Sequence, residues 1–274
     1  MLPLVDLHCH YCVGRKDAID NFRRLADSEE IYRLAVCALD TKVAYDPQFP
    51  CLSQFRTTNE QLAEMIAKVN SPKLVPWCFI DPLEPDAPKK AEYWLTTGAM
   101  KGVKMYPPMG WYPNDPRAIE VFKVIAAHDV PVLLHMGRVA VHPQILSKFG
   151  RPICLEEVGL ACPKIKLIIG HWANMWRWEA FHVAMSFPNF FFDLTTSGSL
   201  HIPIIHETIR HEDLGLRRIV LGTDGAGENN IQRCKATLAK LKTEGGLTDM
   251  QLDAIGHYNG LAVLGEKSPF APKE

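Results

Sequence analysis

Near its start the chain carries two histidines separated by a single residue. They lie in the run VDLHCH at residues 5–10, which has the apolar character of a short strand. Because side chains in a strand alternate between its two faces, His8 and His10 point the same way. Two imidazoles on one rigid element could bind one divalent metal ion. The pair alone is a weak indication, so it needs further ligands from elsewhere in the chain.

Other apolar runs end in the same kind of side chain. His135, His171 and Asp224 each follow directly after a continuous apolar run. Burying such polar groups is costly unless they have partners. A single histidine at a strand end is more often a hydrogen-bonding residue than a ligand. Together with His8 and His10, however, these groups share one structural position and predict one common metal site.

The elements that must position these residues recur along the whole chain. Eight apolar runs are predicted as strands, at residues 4–10, 32–40, 73–81, 100–106, 130–135, 165–171, 190–195 and 218–224. Most are continuously apolar, as expected of parallel strands that are covered on both faces. Helix-sized segments separate them, so we expect a single α/β domain, residues 1–274, folded as a (β/α)8 TIM barrel. An open, doubly wound sheet is the alternative.

Several helix starts are visible in the sequence. Asp115-Pro116 is typical of an N-cap followed by proline in the first turn. Thr58-x-x-Gln61 and Thr248-x-x-Gln251 have the spacing of a capping box. Loops rich in proline and aromatic residues follow the second and fourth strands, at 41–57 and 107–113. In a barrel both lie on the carboxyl rim, where they either shape a substrate pocket or cover the barrel and contact another subunit.

Composition limits the classes of partner. The formal net charge of -1 gives no electrostatic reason to expect nucleic acid or an anionic membrane. No segment resembles a signal peptide, and the apolar runs are too short to span a bilayer. The eight cysteines are irregularly spaced, which favours reduced thiols and a cytoplasmic location. Cys9-x-x-Cys12 resembles half a zinc ribbon, but no second pair follows at ribbon spacing. The sequence is compatible with a homo-oligomer.

Six phrases resemble the amidohydrolase superfamily. Within it they are similar to the amidohydrolase 2 family, the metal-dependent hydrolase-like and decarboxylase-like barrels related to aminocarboxymuconate-semialdehyde decarboxylase. They follow the family order and span nearly the whole chain. The phrases are VDLHCH (5–10), KGVKMYP (101–107), VPVLLHMG (130–137), LIIGHWA (167–173), RIVLGTDG (218–225) and NGLAVLG (259–265). The HxH pair, the two later histidines and the final aspartate together form a specific pattern.

The resemblance implies a ligand set and roles for individual residues. His8, His10, His135 and Asp224 would bind one divalent ion, with zinc expected and manganese or iron also accommodated. Asp224 would act as both ligand and general base, and His171 would stand beside the metal-bound water or the substrate oxygen.

Neighbouring polar residues have several interpretations. Asp6 shares the face of His8 and is expected to support the site rather than to bind metal. Lys104 could bind a substrate carboxylate, become a carboxylated bridge as in binuclear members of the superfamily, or extend to the rim. Arg138 and His142 could bind an acidic group of the substrate or be solvated rim residues. Most of the remaining histidines are expected at the surface.

These features favour a metal-dependent hydrolase. It would open an amide, lactone or similar C–N or C–O bond of a small molecule, a carboxylate being one candidate. The alternative is a non-oxidative decarboxylase of a small unsaturated or aromatic acid, since the same ligand set serves both reactions. The sequence shows no compelling pair of arginines for a departing carboxylate, which tilts the prediction slightly to hydrolysis. A barrel with a purely structural metal ranks lower, because strand ends at the carboxyl rim adjoin substrate loops.

Overall fold

The computed structural model describes residues 1–41, 56–138, 145–195, 198–225, 227 and 229–270, with the backbone alone for 198–200. Eight parallel strands form one sheet in which each strand pairs with the next along the chain. The strands are β1 Leu4–His10, β2 Ile31–Cys37, β3 Leu74–Phe79, β4 Gly102–Met105, β5 Pro131–Leu134, β6 Lys166–Ile169, β7 Phe190–Asp193 and β8 Ile219–Val220.

The sheet closes on itself between β1 and the segment after β8. The Leu7 amide donates to the carbonyl of Leu221 at 3.0 Å, and the His10 amide donates to the carbonyl of Gly225 at 2.7 Å. Cys9 and Gly225 form a parallel bridge. The chain is therefore a single (β/α)8 TIM barrel, as the sequence predicts, and the open-sheet alternative is wrong.

Helices alternate with the strands. Those in the described residues are α1 Ala18–Asp27, α2 Asn59–Val69, α3 Ala87–Thr96, α4 Pro116–Ala127, α5 Leu155–Ala161, α6 Arg177–Met185, α7 Gly198–Arg210, α8 Asn230–Thr243, α9 Asp249–Asp253 and α10 Asn259–Leu264. A π-helical turn at Ala254–Tyr258 joins α9 to α10. Within the described residues, no helix combines the length and apolarity needed to cross a membrane.

The predicted helix starts are confirmed by side-chain contacts. Thr58 and Gln61 form a reciprocal capping box at the start of α2, and Thr248 and Gln251 form another at the start of α9. Asp115 accepts a hydrogen bond from the Arg117 amide before α4. Each contact satisfies backbone donors that a helix start leaves unpaired.

Close packing inside the barrel depends on a glycine at the start of β4. Trp77 of β3 is fully buried, and its indole lies where a side chain of Gly102 would project. A Cβ added at Gly102 would be 2.6 Å from that ring, which is closer than real Cβ contacts. The absence of a side chain at Gly102 therefore lets β3 and β4 pair beside a large aromatic residue.

Candidate metal centre

Three of the predicted residues converge where the barrel closes. His8 and His10 end β1, and Asp224 follows β8. The backbone amide of Asp224 donates to the carbonyl of His8 at 2.7 Å, which holds the two segments together. Asp224 has a left-handed backbone conformation with φ of 50°, which is uncommon for a non-glycine residue and marks a constrained position. The side chain of Asp224 lies beside both imidazoles.

The distances between the donor atoms suit one small cation. Nε2 of His8 lies 3.4 Å from Oδ1 of Asp224, and Nε2 of His10 lies 3.1 Å from the same oxygen. The two Nε2 atoms are 3.3 Å apart. Ligand atoms about 2.1 Å from one ion are separated by about 3.0 to 3.4 Å at right or tetrahedral angles. Two ring nitrogens and one carboxylate oxygen therefore fit the geometry and the chemistry of a divalent metal site.

The protonation states also suit metal binding. Burial, followed by the charge of Lys104, lowers the pKa of His8 to about 4, and burial lowers the pKa of His10. Burial would raise the pKa of Asp224, but His8, His10 and other neighbouring groups hold it well below its usual range. At neutral pH the site thus presents unprotonated ring nitrogens and an ionised carboxylate, which are the ligand forms a metal requires.

Lys104 of β4 points into this site. Its side chain is 1% exposed, and its Nζ lies 2.9 Å from Nε2 of His8. Burial lowers the pKa of Lys104. The ammonium group is therefore part of the site and does not extend to solvent, in contrast to one of the three interpretations of the sequence.

His135 and His171 form a pair at the side of the site. Nε2 of His171 lies 3.0 Å from Nδ1 of His135, and the two ring centroids are 4.4 Å apart. The His171 ring is 5.1 Å from the ring of His8. Nε2 of His135 is buried and has no hydrogen-bond partner among the described residues. His135 is not in the close group of His8, His10 and Asp224, so its role as a ligand stays a prediction.

Asp193, at the end of β7, is a residue that the sequence reasoning missed. Its Oδ2 lies 2.7 Å from Nδ1 of His8 and accepts a hydrogen bond from the His171 amide at 3.1 Å. Burial would raise the pKa of Asp193, but contact with His8 lowers it to about 2. The signal was present in the sequence, because Asp193 ends an apolar run as Asp224 does.

Tyr106 and Asp6 complete the surroundings of the imidazoles. The Tyr106 ring lies 4.6 Å from the ring of His135, and burial raises the pKa of its phenol. The sequence reasoning did not single out Tyr106. Asp6 accepts hydrogen bonds from the backbone amide of His8, from Thr223 and from Asn230. Asp6 lies outside the ligand group and binds the closing segments together, as expected of a supporting residue.

The predicted roles of Arg138 and His142 in substrate binding stay predictions. Arg138 is exposed, and His142 lies outside the described residues, as does most of the loop at 41–57. The expectation that most other histidines are surface residues is wrong for His201 and His257, whose side chains are fully buried.

Comparison with known proteins places the chain in a family. The model of the amidohydrolase family matches residues 5–265, so the chain belongs to that family. A comparison with curated proteins finds no match.

Solved structures share the fold at low sequence identity. An uncharacterised TIM-barrel protein from Bordetella bronchiseptica is 16% identical, with a TM-score of 0.71 and coverage of 96% of this chain and 98% of that chain. The 2,6-dihydroxybenzoate decarboxylase from Rhizobium is 15% identical, with a TM-score of 0.68 and coverage of 97% and 99%. A dihydroxybenzoic acid decarboxylase from Polaromonas, solved with manganese and 2-nitroresorcinol, is 15% identical, with a TM-score of 0.63 and coverage of 97% of each chain.

Proposed function

We propose that the protein is a divalent-metal-dependent decarboxylase that removes CO2 from a small unsaturated or aromatic carboxylic acid. The observation that carries this proposal is the buried side chain of Lys104, whose Nζ lies 2.9 Å from Nε2 of His8, a member of the three-ligand group. A buried cation is stabilised by an anionic partner. The charges of Asp224 and Asp193 already act on Lys104, and a substrate carboxylate beside Nζ would add a direct partner.

The residues divide into a binding set and a proton-transfer set. His8, His10 and Asp224 would hold the metal, with His135 as the fourth ligand that the family resemblance implies. The metal would supply positive charge for substrate oxygens and for the charge that develops as CO2 leaves. Zinc is the expected ion from the ligand types, and manganese suits the same set of nitrogen and oxygen donors. Lys104 would bind and orient the acid group.

Decarboxylation requires a proton as well as a cation. The bond between the carboxyl carbon and the rest of the substrate breaks, its electron pair stays on the substrate carbon, and that carbon then takes a proton as CO2 leaves. We assign this proton to His171, which lies beside His8 and is hydrogen-bonded to His135. Burial lowers the pKa of His171 in the free protein. A bound carboxylate raises that pKa again, because an opposite charge favours the imidazolium.

The similar structures support this choice over hydrolysis. Two of the three are named as decarboxylases of dihydroxybenzoic acids, and one of them contains manganese. The sequence shows no compelling pair of arginines to bind the departing carboxylate. Lys104 could bind this carboxylate in their place.

Hydrolysis is the second candidate. The family description is amidohydrolase, and Asp224 lies beside the imidazoles of His8 and His10, where its carboxylate could accept a proton from an attacking water. In this case the substrate would be an amide, a lactone or a similar compound, and no CO2 would be released.

Both reactions can be assayed on one preparation. The protein is reconstituted with Mn²⁺ or Zn²⁺ and given a panel of hydroxybenzoic and unsaturated acids, carboxyl-labelled with ¹³C, beside a panel of lactones and amides. The proposal predicts release of labelled CO2 by the wild type and its loss in Asp224→Asn. Ring or amide opening without labelled CO2 would establish the hydrolase instead.

Lys104→Met tests the substrate contact. Loss of a charged hydrogen bond of about 1.5 to 3 kcal/mol lowers kcat/KM about ten- to hundredfold. Lys101→Met is the matched control, because Lys101 is an exposed lysine just before the same strand. Equal activity of the two variants would contradict the role of Lys104.

A further inference from the structure

We infer that Asp193 is a positioning residue that fixes the ring tautomer of His8 for metal binding and ties that ring to the position of His171. The inference rests on the proposed metal site for its functional meaning. Asp193, on β7, is not among the predicted ligands. The tautomer of His8 can be measured in the metal-free protein, separately from the proposed function.

Most contacts of Asp193 are made by one of its two carboxylate oxygens, Oδ2. Its side chain is 1% exposed. Oδ2 contacts Nδ1 of His8 at 2.7 Å and accepts from the backbone amide of His171 at 3.1 Å. The same oxygen accepts a hydrogen bond from the hydroxyl of Thr195, while Oδ1 accepts from the Thr195 amide at 2.9 Å. Three of these four contacts bring a donor to Asp193 whatever the tautomer of His8, which favours the ionised carboxylate.

The tautomer follows from the partners on the two sides of the His8 ring. An ionised carboxylate can only accept, so its contact with Nδ1 of His8 favours a proton on that nitrogen. Thr195 Oγ1 lies 3.0 Å from the same nitrogen and can accept from it, because its own hydrogen is donated to Asp193. On the opposite side, Lys104 Nζ lies 2.9 Å from Nε2 of His8, and a lysine amine has hydrogens to donate to that nitrogen. Both contacts fit the same neutral imidazole, with its lone pair on Nε2. That atom is the one that faces His10 and Asp224.

A glycine on the neighbouring segment makes room for this arrangement. A Cβ added at Gly222 would be 2.2 Å from Oδ1 of Asp193 and 2.7 Å from the Cβ of His8. Any side chain at Gly222 would therefore displace the carboxylate, the histidine or both. This is a second observation, independent of the hydrogen bonds, that the segment after β8 is shaped around the contact between Asp193 and His8.

The same carboxylate also holds the turn that carries His171. His171, Trp172 and Ala173 have φ values of 55°, 47° and 45°, a left-handed conformation that costs about 1 to 2 kcal/mol for each non-glycine residue. Such a turn persists only where the surrounding contacts support it. The bond from the His171 amide to Asp193 is one such contact, so one side chain contacts both the His8 ring and the turn that carries His171.

The wild-type protein gives the first test. Long-range ¹⁵N–¹H correlation spectra of uniformly ¹⁵N-labelled, metal-free protein report which ring nitrogen of each histidine carries hydrogen, and the His8 signals are assigned with His8→Gln. The inference predicts hydrogen on Nδ1 of His8. Hydrogen on Nε2 would overturn it. Because this readout uses no metal and no substrate, it can succeed even if the proposed function fails.

Asp193→Asn tests the cause. The amide keeps the shape of the side chain but can donate to Nδ1, which moves the ring hydrogen of His8 to Nε2 and removes the lone pair from the metal site. We expect Mn²⁺ or Zn²⁺ affinity, measured by calorimetry, to fall about 10- to 100-fold. Asp81→Asn is the matched control, since Asp81 is also buried but its Oδ1 accepts from the Leu83 amide in the turn after β3. An unchanged tautomer and affinity in Asp193→Asn would refute the inference.

Gly222→Ala is a second variant that is expected to lose metal affinity. The added methyl group is expected to push the carboxylate of Asp193 away from His8 and weaken metal binding while Asp193 itself is retained. Circular dichroism establishes that each variant is folded. If Asp193→Asn does not fold, the wild-type spectrum and Gly222→Ala decide the question. Wild-type metal affinity in folded Gly222→Ala would count against the positioning role.

Discussion

We expect His201 of α7 to lower the free energy of unfolding of the barrel at acid pH. Its side chain is fully buried, with its ring 5.6 Å from that of Trp172. Burial, followed by the charge of Arg177, lowers the pKa of His201 to about 3, although Asp193 acts in the opposite direction. In the unfolded chain the pKa is about 6.5.

The sign and size of the effect follow from this difference. Between the two pKa values the unfolded state binds a proton that the folded state does not, so stability is lost as pH falls below about 6.5 and the loss is complete near pH 3. Each pKa unit corresponds to about 1.4 kcal/mol. Lowering the pH from 7 to 5 should therefore cost about 2 kcal/mol through His201 alone, and the full difference amounts to about 5 kcal/mol.

Urea unfolding of the wild type and His201→Gln at pH 7 and pH 5 measures this contribution. The glutamine variant is less stable at pH 7, because it disturbs packing against Trp172, but we expect it to lose about 2 kcal/mol less than the wild type on acidification. His182→Gln is the control, because its side chain on α6 is exposed. If His201→Gln and the wild type lost equal free energy of unfolding, the reasoning would be wrong.

Three further outcomes are expected. Asp224→Asn should bind less metal by elemental analysis while its circular dichroism stays that of the wild type; full occupancy would contradict its assignment as a ligand. Burial raises the pKa of Asp6 to about 7 despite its hydrogen bonds, so Asp6 should lower the free energy of unfolding as pH rises from about 4 to about 7, by up to about 4 kcal/mol. Asp6→Asn should remove this slope in urea titrations, and an unchanged slope would oppose it. Gly102→Ala should destabilise the barrel by about 1 to 3 kcal/mol through contact with Trp77, which thermal unfolding detects.

Much of the architecture could be predicted because local signals agreed with one another. The eight apolar runs contain the eight strands, or all but the first residue in the case of β2, and the caps at Thr58, Asp115 and Thr248 are at the predicted places. The predicted strands are mostly too long, most clearly at 218–224, where β8 is only Ile219–Val220. Beyond that point the backbone turns to place Asp224, although its residues remain apolar enough to resemble a strand.

The parts of the site that the sequence could not supply depend on side-chain direction. Lys104 lies on a strand in all three interpretations of the sequence, and only the fold shows that its Nζ contacts His8. The burial of His201 is equally a tertiary effect, since α7 presents it to Trp172. Asp193 is different, because the rule that found Asp224 applies to it as well. Apolar runs that end in a polar residue predict ligands, but they do not indicate which strand end holds a ligand in place.

The seam between β1 and the segment after β8 has a consequence for biosynthesis. The pair Thr223 and Asp6, which closes the seam, is separated by 217 residues. During synthesis one edge of β1 therefore stays unpaired until nearly the whole barrel has left the ribosome. Unpaired strand edges can pair with other chains and cause aggregation. Since His8 and Asp224 meet only at this seam, a nascent or truncated chain lacks the complete set of proposed ligands, and the proposed metal site would form only when the ring of strands is closed.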